Sequence, residues 1–479
     1  MPIEIIILML LSVAFLAACV LLRFQFFSVG KLNWLPLGCV GVVLIGSVLG
    51  RDFFHLSLGP LPLTLDRLLL GVLWLVFGWQ ALFSRQRLTR INYVDFAILI
   101  WLATITFSTF THDFTIMENG PLSRLLFFNY VPVLLYFLTR WVRLEAADLK
   151  VVALMLVVFG VYLAFTALAE TRGMPALVFP TYIMNAEERE FLGRGRGPFL
   201  NPVSNGVFMA VCICSALMWW PRMKSRRGKL IVLALALFIS IGVYSTYTRS
   251  TWLSLVVGMG VFVFWPSKTY QKGIMIVAAT LMAIALFPVI GDKIFSFKRD
   301  QDVSLAEMQK SALLRPLFVE IAWEMVQDRP VLGVGFAQYP KAKYPYLQNP
   351  HTTEALRDTR GLMQHNVFLA YVVDMGFVGL VTLVGLLGAF LTASWQVWRN
   401  RSLDLWVRQF ALANIVLMAG YCVNGMFHDV SIVPMMHSLL FFWIGVVSNA
   451  LSRPEAFQKK VIRVAPESLV VERPQRMAA

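Results

Sequence analysis

Long apolar runs, each near the length needed to cross a bilayer, succeed one another along most of this chain, and they leave few ways for it to fold. A transmembrane helix needs roughly 20 apolar residues, because no water is present to satisfy an irregular backbone. Such runs fall at 3–22, 34–49, 63–83, 94–111, 122–138, 150–169, 202–220, 230–247, 250–265, 274–290, 366–393, 410–427 and 434–451. With 58% hydrophobic and only 14% charged residues among 479, the apolar surface exceeds what a soluble core can hide. The expectation is therefore an all-α, polytopic membrane protein of about 12–13 spanning helices with a large helical outer loop. Cys19, Cys39, Cys212, Cys214 and Cys422 all lie in apolar segments and read as small buried hydrophobes, not as a disulfide framework. The N-terminal run lacks a basic flank and a small-residue cleavage site, so it reads as a first span and not a removable signal.

The connections alternate in character. One set is short and basic: Arg23 and Lys31; Arg85, Arg87 and Arg90; Arg140, Arg143 and Lys150; Arg222 to Lys229; Lys268 and Lys272; Arg399, Arg401 and Arg408; and the tail from Arg453. The short connections of the other set, 112–121 and 428–433, contain no Lys or Arg. The positive-inside rule makes the basic set cytoplasmic and places two long segments, 170–201 and 291–365, outside. The expected organisation is 1–190 as N-terminal spans, 191–290 as central spans bearing outer arginine motifs, and 291–365 as the large periplasmic loop. C-terminal spans follow at 366–451, then a disordered cytoplasmic tail at 452–479. No internal repeat is visible, which weighs against a transporter built from inverted halves.

The large outer segment carries its own signals. Ser304 to Glu307 fits a capping box, and Leu317, Ile321 and Met325 with Phe318 and Ala322 recur at helical spacing. Such a helix would lie on the membrane surface or pack over a cavity. Asp328-Arg329-Pro330 and Gly333-Val334-Gly335 should end it in a turn. The tyrosines and prolines from Tyr339 to Pro350 suit carbohydrate stacking and interfacial anchoring equally.

Arginine placement carries the chemistry. A guanidinium in the bilayer centre costs about 3 kcal/mol or more, so it normally faces a protein interior or a watery cavity. Arg67, Arg124 and Arg249 fall at or inside apolar runs, while Arg194, Arg196 and Arg315 crowd the outer segments. Several on one face predict a pocket for a polyanion such as a lipid-linked phosphate or pyrophosphate. The first candidate stretch is Arg194-Gly195-Arg196-Gly197-Pro198-Phe199-Leu200-Asn201-Pro202, with Asn201 and Asn205 extending polarity into the span. The bland alternative is an ordinary loop with solvated charge. The second is Thr246 to Thr251, hydroxyls around Arg249, against which stands a snorkelling helix-end arginine. The third is Arg315 with Pro316, just before the amphipathic helix. The fourth is Gln364-His365-Asn366 at the re-entry to the membrane, where imidazole can accept and release a proton near neutrality. His55, His112, His351, His428 and His437 read as structural or peripheral. The triplet Asp300-Gln301-Asp302 gives only weak support for a metal, so neither metal nor cofactor is expected.

These stretches together resemble a known family. Gly197-Pro198-Phe199-x-Asn201-Pro202, Thr248-x-Ser250 around Arg249 and Arg315-Pro316 through Trp323 resemble bacterial O-antigen ligases and O-antigen polymerases. So do the runs Asp328 to Phe336 and His365 to Gly379, and the ordered match extends over roughly 190–395. The resemblance implies a metal-independent, inverting membrane glycosyltransferase of the bacterial inner membrane with its active site facing the periplasm. It would take a glycan from undecaprenyl pyrophosphate and pass it to lipid A-core, protein or another repeat unit. By resemblance His365 is the catalytic base. Arg194 or Arg196, Arg249 and Arg315 hold the pyrophosphate, and Asn201 and Asn366 support them. A polymerase of lipid-linked repeat units and a non-catalytic carrier of lipid-linked glycans are the rival readings. Membrane lipids and the glycan substrates are the expected partners, and nucleic acid is not. Thirteen spans is one more than a ligase implies, and the tail is longer.

Overall fold

The computed structural model describes residues 33–58, 61–83, 89–114, 120–185, 191–264, 266, 305–347 and 365–458. The expected spans at 3–22 and 274–290, the Asp300–Asp302 triplet, Ser304, His351, Gln364 and the tail from 459 lie outside them. The described residues are mostly helical, at 78%, and the chain is an all-α polytopic membrane protein. Its principal helices are α1 Trp34–Val48, α2 Leu65–Phe83, α3 Tyr93–Phe110, α4 Pro121–Trp141, α5 Ala146–Thr171, α6 Pro202–Leu217, α7 Arg226–Tyr244 and α8 Arg249–Phe264. They continue with α9 Leu305–Asp328, α10 Val367–Arg399, α11 Leu405–Gly425 and α12 Pro434–Ser452. Among the described residues nine helices are long and apolar enough to cross a membrane. The eleven expected spans that fall on described residues each coincide with a helix, because run length and composition alone decide that outcome.

Burial separates the inner helices from the lipid-facing ones. The windows of Pro202–Arg222 and Pro434–Ser452 are 83% buried, against 22% for Leu65–Phe83 and 28% for Arg226–Tyr244. In α2 the large side chains Leu75, Trp79 and Leu82 are accordingly exposed, as expected where lipid replaces a protein neighbour. Inner helices approach closely at small residues. A Cβ on Gly242 would sit 2.6 Å from Ala164 Cα, and one on Gly160 would sit 2.4 Å from Cys212 Cβ. The described cysteines are free, with Cys39, Cys212 and Cys214 buried.

The two classes of connection lie at opposite ends of the bundle. At one end Tyr182 Oη bonds Val48 O, Gly195 N bonds Ser245 O at 2.8 Å, Lys341 Nζ pairs with Asp113 and Asn366 Nδ2 bonds Met426 O. At the other, Asn33 reaches Arg143 O, Arg222 reaches Gln409, and Arg453 caps the carbonyls of Arg140, Trp141 and Val142. A fully buried Arg140–Asp95 pair at 2.7 Å, joined by Tyr136 and Ser448, ties α3, α4 and α12 together there. The first residues of the tail are docked too, with Asp404 N on Phe457 O at 2.7 Å.

Two elements depart from the expectation. Between α1 and α2 the chain forms an antiparallel hairpin, His55–Leu58 with Leu61–Thr64, that an all-helical reading did not foresee. Helix α9 opens at Leu305, as the capping box predicts, but runs through Pro316, so Arg315 and Pro316 lie inside the helix and not ahead of it. Its apolar stripe is buried: Phe318 is almost fully covered, and Ile321, Ala322, Met325 and Val326 pack with Val334, Tyr339, Leu347 and Val373. The helix therefore packs on the end of α10.

Candidate functional site

Backbone strain marks the sequence motifs. Among the described residues, the non-glycine positions with positive φ are Phe191, Leu200, Tyr247, Ala337 and His365. All five lie in or beside the four candidate stretches or the 328–336 run, and all at the same end of the bundle. Each costs about 1–3 kcal/mol, and such strain persists where surrounding structure holds it in place, characteristically at ligand sites.

Two of the candidate stretches form one unit. Gly195 N donates to Ser245 O at 2.8 Å, and Asn205 Nδ2 donates to Gly195 O at 2.8 Å. A Cβ on Gly195 would meet Ala167 at 2.8 Å and Ser245 O at 2.9 Å, so only glycine lets the turns touch. Gly206 packs equally closely on Thr251, which fixes the start of α6 against the start of α8. Three buried polar atoms cluster at this junction: Ser204 Oγ, Asn205 Oδ1 and Ser250 Oγ have no hydrogen-bond partner among the described residues. Buried polar atoms are ordinarily paired, so this concentration points to a ligand or ordered water at the junction.

The arginines divide into different environments. Arg196 is fully buried, with Nε 3.3 Å from Glu170 Oε1 and its terminal nitrogen donating to Ile183 O at 2.7 Å. Glu170 also receives Gly197 N at 3.0 Å. Arg196 thus locks the motif to the end of α5. Arg194 is buried as well, its guanidinium 5.1 Å from the centre of the Phe191 ring. Arg249 opens the sixteen-residue α8, where the positive end of the helix dipole adds to its own charge. The threonine hydroxyls beside it serve the turn itself: Thr248 Oγ1 donates to Thr246 O, Thr251 Oγ1 to Thr248 O, and Thr246 Oγ1 lies 3.0 Å from Thr251 Oγ1. Asn201 is the N-cap of α6, accepting from Val203 N and Ser204 N.

The other two stretches form a second unit. His365 is exposed, and its ring lies 5.5 Å from that of Phe318, which is buried in α9. Arg315 occupies the position one helical turn before Phe318. Asn366 caps α10 through Phe368 N and Leu369 N and holds Met426 O at 3.1 Å. The Asp328–Phe336 run serves as a clasp. Val334 N bonds Val373 O, Gly335 N bonds Asp374 O, Phe377 N bonds Pro330 O and Val378 N bonds Val331 O. Ala337 N donates to Asp374 Oδ2 at 2.8 Å. Gly333 (φ 69°) and Gly376 (φ 63°) face the opposing backbone at distances no Cβ tolerates, 2.5 and 2.2 Å. Sequence reading saw these glycines as a motif; their work is to lock α9 beside His365. The two units flank α11, since α8 and α10 both pack on it.

The two remaining in-membrane arginines are engaged elsewhere. Arg67 lies 3.5 Å from the centre of the Phe127 ring and donates to Pro62 O, anchoring the hairpin. Arg124 precedes a π-helical turn, Leu125–Tyr130, and lines a cavity of about 30 Å³ with Asn129, Tyr371, Asp374 and Asp429. That volume holds water and not a substrate. Burial raises the Asp429 carboxyl pKa, opposed by Ser431 and by the charge of Arg124. Sequence reading missed Glu170 and Ser204, while Ser250 stood in the Thr246–Thr251 stretch and Asp374 in the His365–Gly379 run without a role of its own.

No curated protein matches the chain. Residues 233–384, which run from α7 through Arg249, α9, Arg315, the clasp and His365 into α10, match the family model described as O-antigen ligase, and across them the chain is O-antigen ligase-like.

Proposed function

We propose that this protein is a membrane glycosyltransferase that moves a glycan from undecaprenyl pyrophosphate to an acceptor hydroxyl on the periplasmic face. O-antigen ligase-like glycosyl transfer in general is what the family match supports. The observation that carries the finer reading is the junction of the two arginine turns. The turns that carry Arg194 and Arg249 are joined by Gly195 N to Ser245 O, and the orphaned polar atoms of Ser204, Asn205 and Ser250 lie at the starts of the two helices these turns open, an arrangement suited to a pyrophosphate at the positive end of α8. Arg196, already neutralised by Glu170, holds the loop in shape instead. His365 takes the acceptor's hydroxyl proton as the new bond to the anomeric carbon forms. The bond to the pyrophosphate oxygen breaks with inversion, and Arg194, Arg249 and Arg315 offset the charge gathering on the leaving group. Helix α9, clasped to α10, holds the acceptor beside His365 and keeps water out. Periplasmic orientation is supported by the basic connections gathering at the opposite end.

The test is transfer from a purified lipid-linked donor by His365→Ala and His365→Gln. Both should lose at least a hundredfold in rate while donor binding persists. Wild-type rates in a folded His365→Ala protein would remove the histidine from the mechanism. Product length separates the two transferase variants: a ladder of lengthening chains means polymerisation, and intact chains on a new carrier mean ligation.

A further inference from the structure

Beside the first arginine turn lies a cavity of about 490 Å³ that the reaction above does not use. It sits between the segment leading into the β-hairpin and Tyr182, Asn185 and Leu200, outside the family-matched residues. Its lining mixes two kinds of group. Phe53 and Phe54 present exposed rings, and Phe53 is steadied by an edge contact with Phe179 at 6.2 Å. Arg51, Asp52, His55 and Tyr182 supply donors and acceptors. His55 Nδ1 is 3.0 Å from Arg51 O, and donating there leaves Nε2 as an acceptor. Tyr182 Oη lies 2.8 Å from Pro198 O, which ties the cavity wall to the arginine turn. Leu200, strained at φ 50°, lines the same space.

The mixture discriminates between ligand classes. A phosphate would meet the Asp52 carboxylate against whatever attraction Arg51 offers, and an acyl chain would desolvate the Asp52 carboxylate and the His55 ring nitrogen without replacing their hydrogen bonds. A sugar ring needs what is present: hydroxyls that both donate and accept, and an apolar C–H face for an aromatic ring. The volume falls in the range of roughly 300–1,000 Å³ usual for small-ligand sites. We propose that this cavity binds one pyranose unit of the glycan handled at the neighbouring site, an inference that rests on the glycosyl-transfer reading. The sugar belongs either to the acceptor or to the donor chain.

Binding of free oligosaccharides to the full-length protein in detergent tests this without any transfer step. The two probes are the delipidated acceptor oligosaccharide and the repeat unit released from its pyrophosphate, titrated calorimetrically. Asp52→Asn, which changes no volume, and Phe54→Ala should each raise Kd at least tenfold for one probe. Weakening of the first probe assigns the cavity to the acceptor, and weakening of the second assigns it to the donor. The proposal is overturned if neither probe binds the wild type at millimolar concentration, or if both bind with Kd unchanged in both variants. If that happens while His365→Ala still abolishes transfer, only this inference fails. If His365→Ala transfers normally while Asp52→Asn loses sugar, only the catalytic reading fails.

Discussion

Substituting Gly376 by Ala should separate the clasp from the rest of the fold. The new Cβ would sit 2.2 Å from the Val331 carbonyl carbon, and Gly376 holds a φ of 63°. Its ψ of −164° completes a conformation essentially reserved for glycine, where an L-residue costs at least about 1 kcal/mol. The contact is backbone, so the chain must part, giving up Phe377 N to Pro330 O (2.8 Å) and Val378 N to Val331 O (3.3 Å). Each lost hydrogen bond is worth about 1 kcal/mol, which brings the local cost to about 3 kcal/mol. At about 1.4 kcal/mol per tenfold, the clasp should open some two orders of magnitude more often. Hydrogen exchange read by mass spectrometry checks this. Peptides covering 330–336 and 376–379 should lose about a hundredfold in protection, while those from α6 and α12 keep theirs. Transfer should fall with clasp opening, because α9 no longer stays beside His365. Gly385→Ala, in the same helix with nothing within 4 Å of its Cβ, is the matched control and should be neutral or slightly stabilising. Wild-type protection in Gly376→Ala would refute the reasoning.

Arg196→Ala should strand Glu170 as a buried unpaired acid and cost about 3–5 kcal/mol, seen as a loss of monodisperse protein on heating in detergent; Arg196→Met with Glu170→Leu should recover most of it. Arg194→Ala should instead lower donor affinity at least tenfold with a smaller thermal loss, and equal behaviour of the two arginine variants would contradict the division of roles. Lys343 is 1% exposed, and burial lowers its pKa to about 8. The unfolded chain therefore holds the extra proton between about pH 8 and the ordinary lysine value of about 10.4, so stability should rise with pH across that window by up to about 1.4 kcal/mol per unit. Lys343→Met should flatten that rise in melting temperature, and an unchanged slope would exclude Lys343 as its source.

The spans were legible because a bilayer rewards only length and apolarity, and both are written along the chain. The hairpin was not, since Leu61-Pro62-Leu63-Thr64 runs without a break into an apolar helix. Pro316 misled because proline usually marks a helix start, whereas α9 tolerates it within. At the site, residue types told where charge gathers but not which charge is spent. Arg196 is tied into the fold by Glu170, twenty-six positions away, a pairing that no local pattern announces. Likewise Asn201 and Asn366 carry the polarity expected of a site, yet both cap helices, a role set by the residue that follows. The strained positions Leu200, Tyr247, Ala337 and His365 carry no glycine or asparagine to announce them.

The central claim is that the Arg194–Arg249 junction and the His365–Phe318 pair address one donor molecule at one end of the bundle. A lipid-linked pyrophosphate analogue with a photoreactive group on its first sugar tests it directly, with adducts mapped by mass spectrometry. The account predicts adducts in peptides from 191–201 or 246–251 and also in the peptide containing His365. Adducts confined to one unit, or found on the basic connections at the opposite end, would contradict it.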